Sequence, residues 1–302
     1  MKKLFPLFPL LLCALCALCV KSQVPSTEIY LLDIDNQGTA LQAGKPKNIS
    51  NSKGYDSQPC FSKDSKTLLY TSIRNGTQAD IFEYNIKTDQ TVQLTETPES
   101  EYSPTYMLDG IHFSTVRVEK DSAQRLWQFK LHSGDKPELV LDKAVDSVGY
   151  HCWYTQGKLA LFILTEPSSI QLAEVGNWET KTVAEKIGRS MQKVPREETF
   201  YFVDKSDSLM YYICKYSGIS PTNQKETIEK FFPTVAGSED ICLTPEGNFI
   251  MAKDGIIFTL DKTSPNFWTP IADLTKEGIT GITRVAISPD GKRLAVAAKE
   301  AE

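Results

Sequence analysis

The chain has 302 residues, 41% of them hydrophobic and 24% charged, with a formal net charge of −5. This is an ordinary globular composition, and its acidity argues against nucleic acid or an anionic membrane as a partner. Seven cysteines are too few for a disulfide scaffold at this length, so the fold must rest on a hydrophobic core.

Lys2 and Lys3 precede an apolar run from Leu4 to Val20, the pattern of a secretory signal. At 17 residues the run falls short of the roughly 20 that a membrane span needs. Val20 and Ser22 place small side chains where a signal peptidase reads. Residues 1–22 are therefore expected to be removed, leaving residues 23–302 as a single domain. Cys13, Cys16 and Cys19 raise a lipid anchor as the alternative, but each follows a leucine where an attachment site has a small residue. The expectation is an exported chain, periplasmic or secreted, with no membrane span once the signal is gone. Losing the three leader lysines takes the formal charge from −5 to −8, and Cys60, Cys152, Cys214 and Cys242 remain.

The first strand after the leader is TEIYLLDID, residues 27 to 35, and GKPKNIS supplies a second short one. From there one unit recurs: an apolar anchor residue, a polar turn, then an alternating apolar strand. CFSKDSKTLLYTS carries the anchor at Phe61, TYMLDGIHFSTV at Tyr106 and CWYTQGKLALFIL at Trp153. YFVDKSDSLMYYI carries it at Phe202, CLTPEGNFIMA at Leu243 and AISPDGKRLAV at Ile287. Successive anchors lie 41 to 49 residues apart. A third apolar strand follows most hairpins (ADIFEYNI, QRLWQFKL, SIQLAEVG, GIIFTLDK), then a fourth (QTVQLTET, PELVLDKA, TKTVAEKI, WTPIADLT). Four strands in about 40–50 residues is the signature of a propeller blade.

Two units depart from the pattern. The fourth shows one weak strand around Thr227 to Phe232 and no clear outer strand, so it reads as incomplete or as carrying an excursion. The sixth stops after two strands. TEIYLLDID and GKPKNIS match the missing third and fourth, so both termini should share one blade and leave no open sheet edge. The expected fold is all-β, a six-bladed β-propeller of four-stranded blades closed by the N- and C-terminal strands together.

These residues resemble the TolB-like six-bladed propellers with WD40-like Pro-Asp repeats. Ile287-Ser288-Pro289-Asp290-Gly291-Lys292 matches the family's turn in full, and Leu243-Thr244-Pro245-Glu246-Gly247 is a close variant. Asp56 to Phe61 and Glu101 to Tyr106 match its upstream half. The resemblance covers roughly residues 27 to 302. It implies an exported, non-enzymatic binding propeller of the bacterial cell envelope, docking a protein or peptide at a face or channel mouth. The family's namesake has an α/β domain ahead of its propeller, and no room for one is expected between Gln23 and the first strand.

The innermost strand of each blade lines the channel, so residues just before each anchor should gather at one mouth. Asp56, Glu101, Asp146, Glu197, Glu198, Glu239 and Asp240 fall there in five units, and Arg284 in the sixth. A ring of carboxylates repels itself unless a cation sits among them. The candidate ligands are a basic peptide segment or a Ca²⁺ ion, although the sequence contains no metal motif and no cofactor is firmly implied. The same acids also read as solvated loop caps. A calcium-dependent lactonase-like hydrolase is the alternative function, weakened by the lack of Asn at the mouth positions. His151 reads as structural, the anchors as core, and Cys214 with Cys242 either as a disulfide or as free thiols. Oligomeric state is not legible.

Overall fold

The computed structural model describes residues 26–37, 40–74, 76–177, 179–219, 225–261 and 267–299. The signal sequence expected at residues 1–22 lies outside them.

The described strands make six four-stranded blades, two of them joined into one larger sheet. The first strands of blades 1 to 6 are Tyr55–Phe61, Ser100–Tyr106, Val148–Thr155, Ile187–Lys193, Ile241–Leu243 and Arg284–Ile287. Blade 6 is built from both ends of the chain. Arg284–Ile287 pairs with Arg293–Lys299, which pairs with Thr27–Gln37, which pairs with Lys47–Asn48. The closing ladder is antiparallel and runs from Thr27 opposite Lys299 to Asp33 opposite Arg293. One parallel contact, Thr27 with Tyr55, ties blade 6 to blade 1.

Alternation along Thr27–Gln37 explains why this strand can close the ring. Ile29 and Leu31 join Phe61, Leu68 and Tyr70 in the core between blades 6 and 1. Tyr30, Leu32 and Ile34 join Ile250 and Ile257 in the core between blades 5 and 6. One strand thus fills two inter-blade cores through its two faces. Four further cores lie between the other neighbouring blades. The anchors belong to these cores: Phe61, Trp153, Phe202 and Leu243 are buried, while Tyr106 and Ile287 pack against core residues.

The turn after each first strand has a local cause. Ser288 Oγ accepts from the Arg293 amide at 2.9 Å and donates to Asp290 Oδ1 at 2.6 Å, and Gly291 takes the required φ of 71°. Ser62 Oγ repeats this with Asp64 and the Thr67 amide, and Thr244 Oγ1 with the Asn248 amide.

Blade 4 corrects the sequence reading. Its first strand is Ile187–Lys193, and Phe202 lies in its second, Thr199–Asp204. Tyr212–Ser217 is the third, and Thr227–Pro233 is the outer strand that looked absent. The turn bonds of the other blades recur here, Val194 N–H to the Thr199 carbonyl and Glu197 N–H to the Val194 carbonyl. The true anchor position is therefore Lys193. Its ammonium bonds the carbonyls of Tyr154 and Glu197, each at 2.7 Å, instead of packing as a hydrophobe. With only Ile187 and Met191 buried as apolar residues, this strand gave no hydrophobic signal.

The four cysteines among the described residues are free thiols. Cys214 lies in the core between blades 3 and 4 and Cys242 in that between blades 5 and 6, which excludes their pairing.

Leu32 is fully buried at the closing strand. Leu32→Ala is expected to cost about 2–5 kcal/mol. Urea unfolding should show one cooperative transition at lower midpoint, because two cores share the strand.

Candidate functional site

The six first strands enclose a channel of about 310 Å³. At the end where these strands begin, side chains from blades 3 to 6 form a connected polar mouth. Arg284 of blade 6 donates to the Tyr150 hydroxyl of blade 3 at 2.7 Å, and its guanidinium lies 5.3 Å from that ring's centre. Asp240 of blade 5 sits between two arginines, its Oδ2 3.6 Å from both Arg284 and Arg189. Arg189 also pairs with Glu239 at 3.1 Å, and Lys205 holds the other oxygen of Glu239 at 2.9 Å. Both arginines donate to the Thr283 carbonyl. Gly188 lets the blade 5 loop approach: a Cβ there would stand 3.1 Å from Val203 and 3.2 Å from Glu239 Oε2.

From blades 1 and 2, Tyr55 and Tyr102 lie near one another, with Arg284 and Tyr150 close to Tyr55. Burial pushes the Tyr55 phenol up in pKa, against the nearby Arg284 charge, with Tyr150 and Tyr102 adding to the rise. Burial likewise raises the Asp240 carboxyl, and Arg284 and Arg189 oppose the shift. Its Oδ1 accepts from the Val285 amide at 3.1 Å. The mouth is therefore three tyrosines facing an Arg–Asp–Arg arc.

The acids expected in one ring do not gather. Glu239, Asp240 and Arg284 are at the mouth. Asp56 and Glu101 are at the right level but fully buried, turned into the seams with the preceding blades. Asp56 accepts from Ser52 Oγ at 2.7 Å and lies near Glu28 of blade 6. Glu101 pairs with Arg117 at 3.1 Å and accepts from Thr97, with Asp80 of blade 1 nearby. Asp146 accepts from the amide of Gln124, which begins the third strand of blade 2. Glu197 and Glu198 sit on the opposite face, because the first strand of blade 4 ends at Lys193 and they fall in the turn before Thr199–Asp204. Among the described residues no group of three His, Cys, Asp or Glu is placed to hold a metal ion.

Arg189, Tyr150, Tyr102 and Tyr55 escaped the sequence reading. Placing the anchor of blade 4 at Lys193 brings Arg189 level with Asp240 and Arg284, and the turn length of KVPREETF was the available signal. His151 does line the channel, but as a structural residue. Trp153 donates to Ser114 Oγ at 2.9 Å, and the same oxygen shares a 2.7 Å hydrogen bond with His151 Nε2. Burial lowers the imidazole pKa to about 3, so it stays neutral. Ser114 is fully buried and no acid orients the ring, so this pair is not a catalytic triad.

No protein-family profile matches the chain, and no curated protein matches it by sequence. Solved structures share the fold. TolB from Acinetobacter baumannii aligns with a TM-score of 0.56 at 12% identity over 91% of this chain, which spans 64% of that protein. A protein described as TolB from Agrobacterium tumefaciens gives 0.67 at 12% identity over 91% of this chain and 98% of its own. A gluconolactonase from Xanthomonas campestris gives 0.62 at 8% identity over 92% and 99%.

The seam acids predict a pH dependence. Desolvation outweighs their partners and raises Asp56 to about 6 and Glu101 to about 7. Both carboxyls then hold their protons more tightly folded than unfolded. Their stabilisation is complete below about pH 4 and is lost as pH rises through about 6 to 7. Glu101→Gln should flatten this decline in urea titrations between these limits. Glu101→Ala, which leaves Arg117 buried without its partner, should cost about 3–5 kcal/mol.

Proposed function

We propose that the chain is a non-enzymatic binding propeller of the bacterial cell envelope, with a protein or peptide partner docking over the channel mouth. The observation that carries this reading is the composition of the mouth. Tyrosine and arginine are the residues that dominate interface hot spots, because they combine large contact area with directed hydrogen bonds. Here Tyr150, Arg189 and Arg284 are pre-ordered by Asp240 and one another, so little side-chain freedom remains to be lost on binding. The leader pattern at Lys2 to Val20 supports export to the periplasm or secretion, and the TolB-like neighbours are compatible with it.

The alternative is a calcium-dependent lactonase-like hydrolase, favoured by the gluconolactonase among the structural neighbours. It needs acids converging on an ion in the channel. Asp56 and Glu101 turn into seams, while Glu239 and Asp240 already face arginines, so the binding reading has the stronger support.

Affinity capture from envelope extract, read by quantitative mass spectrometry, tests both. Partners held by the native chain should be lost from an Arg189→Ala, Tyr102→Ala double variant of unchanged melting temperature. Equal retention by the variant would contradict the mouth as docking site. A calcium ion retained in stoichiometric amount after dialysis would favour the hydrolase.

A further inference from the structure

On the face opposite the mouth, a groove of about 940 Å³ runs between blades 3 and 4. We propose that this groove binds a basic peptide segment, a lysine or arginine side chain being received by the Tyr154 hydroxyl and the carboxylates around it. The site is separate from the channel mouth and does not depend on what docks there.

Charge is the first observation. Glu174, Glu179, Glu197, Glu198, Glu226 and Glu229 all line the groove. Glu197 pairs with Lys215 and Glu226 with Lys181, each at 2.6 Å. Glu174, Glu179, Glu198 and Glu229 have no ion-pair partner among the described residues, and the basic side chains on the lining are Lys158 and Lys181. The wall is therefore electronegative, and the unpaired acids come from both blades.

Tyr154 is the second, independent observation. It is only 7% exposed, and its ring is fixed against Phe200 and Tyr216, with centroids 5.3 and 6.4 Å away. The Tyr154 backbone carbonyl is occupied by Lys193, but its hydroxyl makes no hydrogen bond within the described chain while lying on the groove lining. Tyr216 beside it already bonds Glu226. A polar atom on a rigid, buried ring, left unpaired among acids, is a prepared acceptor. Burial pushes the Tyr154 phenol up to about 12, and Glu174, Glu226 and Glu198 push it the same way, so the hydroxyl keeps its proton. It can donate that proton to a neighbouring carboxylate and accept from an ammonium or guanidinium group.

The geometry favours a peptide over a single ion. The acids come from both walls of the groove, and no three of them converge as a metal set among the described residues. A peptide with several positive charges can meet acids on both walls.

Titration calorimetry with a short oligolysine peptide, against oligoglutamate, tests the site in physiological salt. Oligolysine should bind and oligoglutamate should not. Tyr154→Phe, which changes no charge and should melt like the native chain, should weaken binding about 10-fold or more, the worth of a hydrogen bond to a charged group. A Glu174→Gln, Glu198→Gln double variant should weaken it at least as much. An Asp121→Asn, Glu138→Gln variant, which removes two acids of blade 2 that do not line the groove, should change it less than about twofold. Absence of oligolysine binding, an unchanged Tyr154→Phe, or equal weakening by the blade 2 variant would overturn the proposal.

Discussion

The antiparallel ladder between Thr27–Asp33 and Arg293–Lys299 is the constraint on which the rest of the molecule depends. A propeller blade buries its apolar faces only against neighbours, so an open ring would leave two blade faces in water. Here one strand supplies both missing faces, Ile29 and Leu31 to one core and Tyr30, Leu32 and Ile34 to the other. Closure also fixes the position of every first strand around the axis. The mouth exists only because Arg284, carried by the closing blade, reaches Tyr150 on the far side of the channel.

The ring separates two kinds of chemistry onto two faces. At the start of the first strands, tyrosines and arginines are cross-linked through Asp240 into a rigid rim. At the other end, between blades 3 and 4, carboxylates outnumber cations around the Tyr154 hydroxyl, which has no hydrogen bond among the described residues. The buried acids Asp56 and Glu101 belong to neither face. They join neighbouring blades, and their raised pKa values reflect desolvation in the seams.

What the sequence showed, and where it failed, follows from how each signal arises. Turn chemistry around Ser62, Thr244 and Ser288 is local, so the repeat was legible and with it the shared terminal blade. Blade 4 was misread because Lys193 occupies the anchor position and satisfies backbone carbonyls, a role with no hydrophobic pattern. That single slip sent Glu197 and Glu198 to the wrong face and hid Arg189. The direction of a side chain relative to the channel was a separate difficulty. Asp56 and Glu101 stand at the expected level, yet Ser52 and Arg117 draw them sideways, and such partners are visible only once strands are paired. Tyr55, Tyr102 and Tyr150 read as ordinary strand residues until the ring brings them to one opening.

Native-state hydrogen exchange tests the closure most directly, because it reads the opening free energy of each strand separately. If the two ends of the chain lock the ring, amides of Ile29–Asp33 and Leu294–Ala298 should open only with the whole domain, at the same free energy as the inner strands of blades 2 and 3. Exchange of these amides through a low-energy local opening, with blades 2 and 3 still protected, would contradict it.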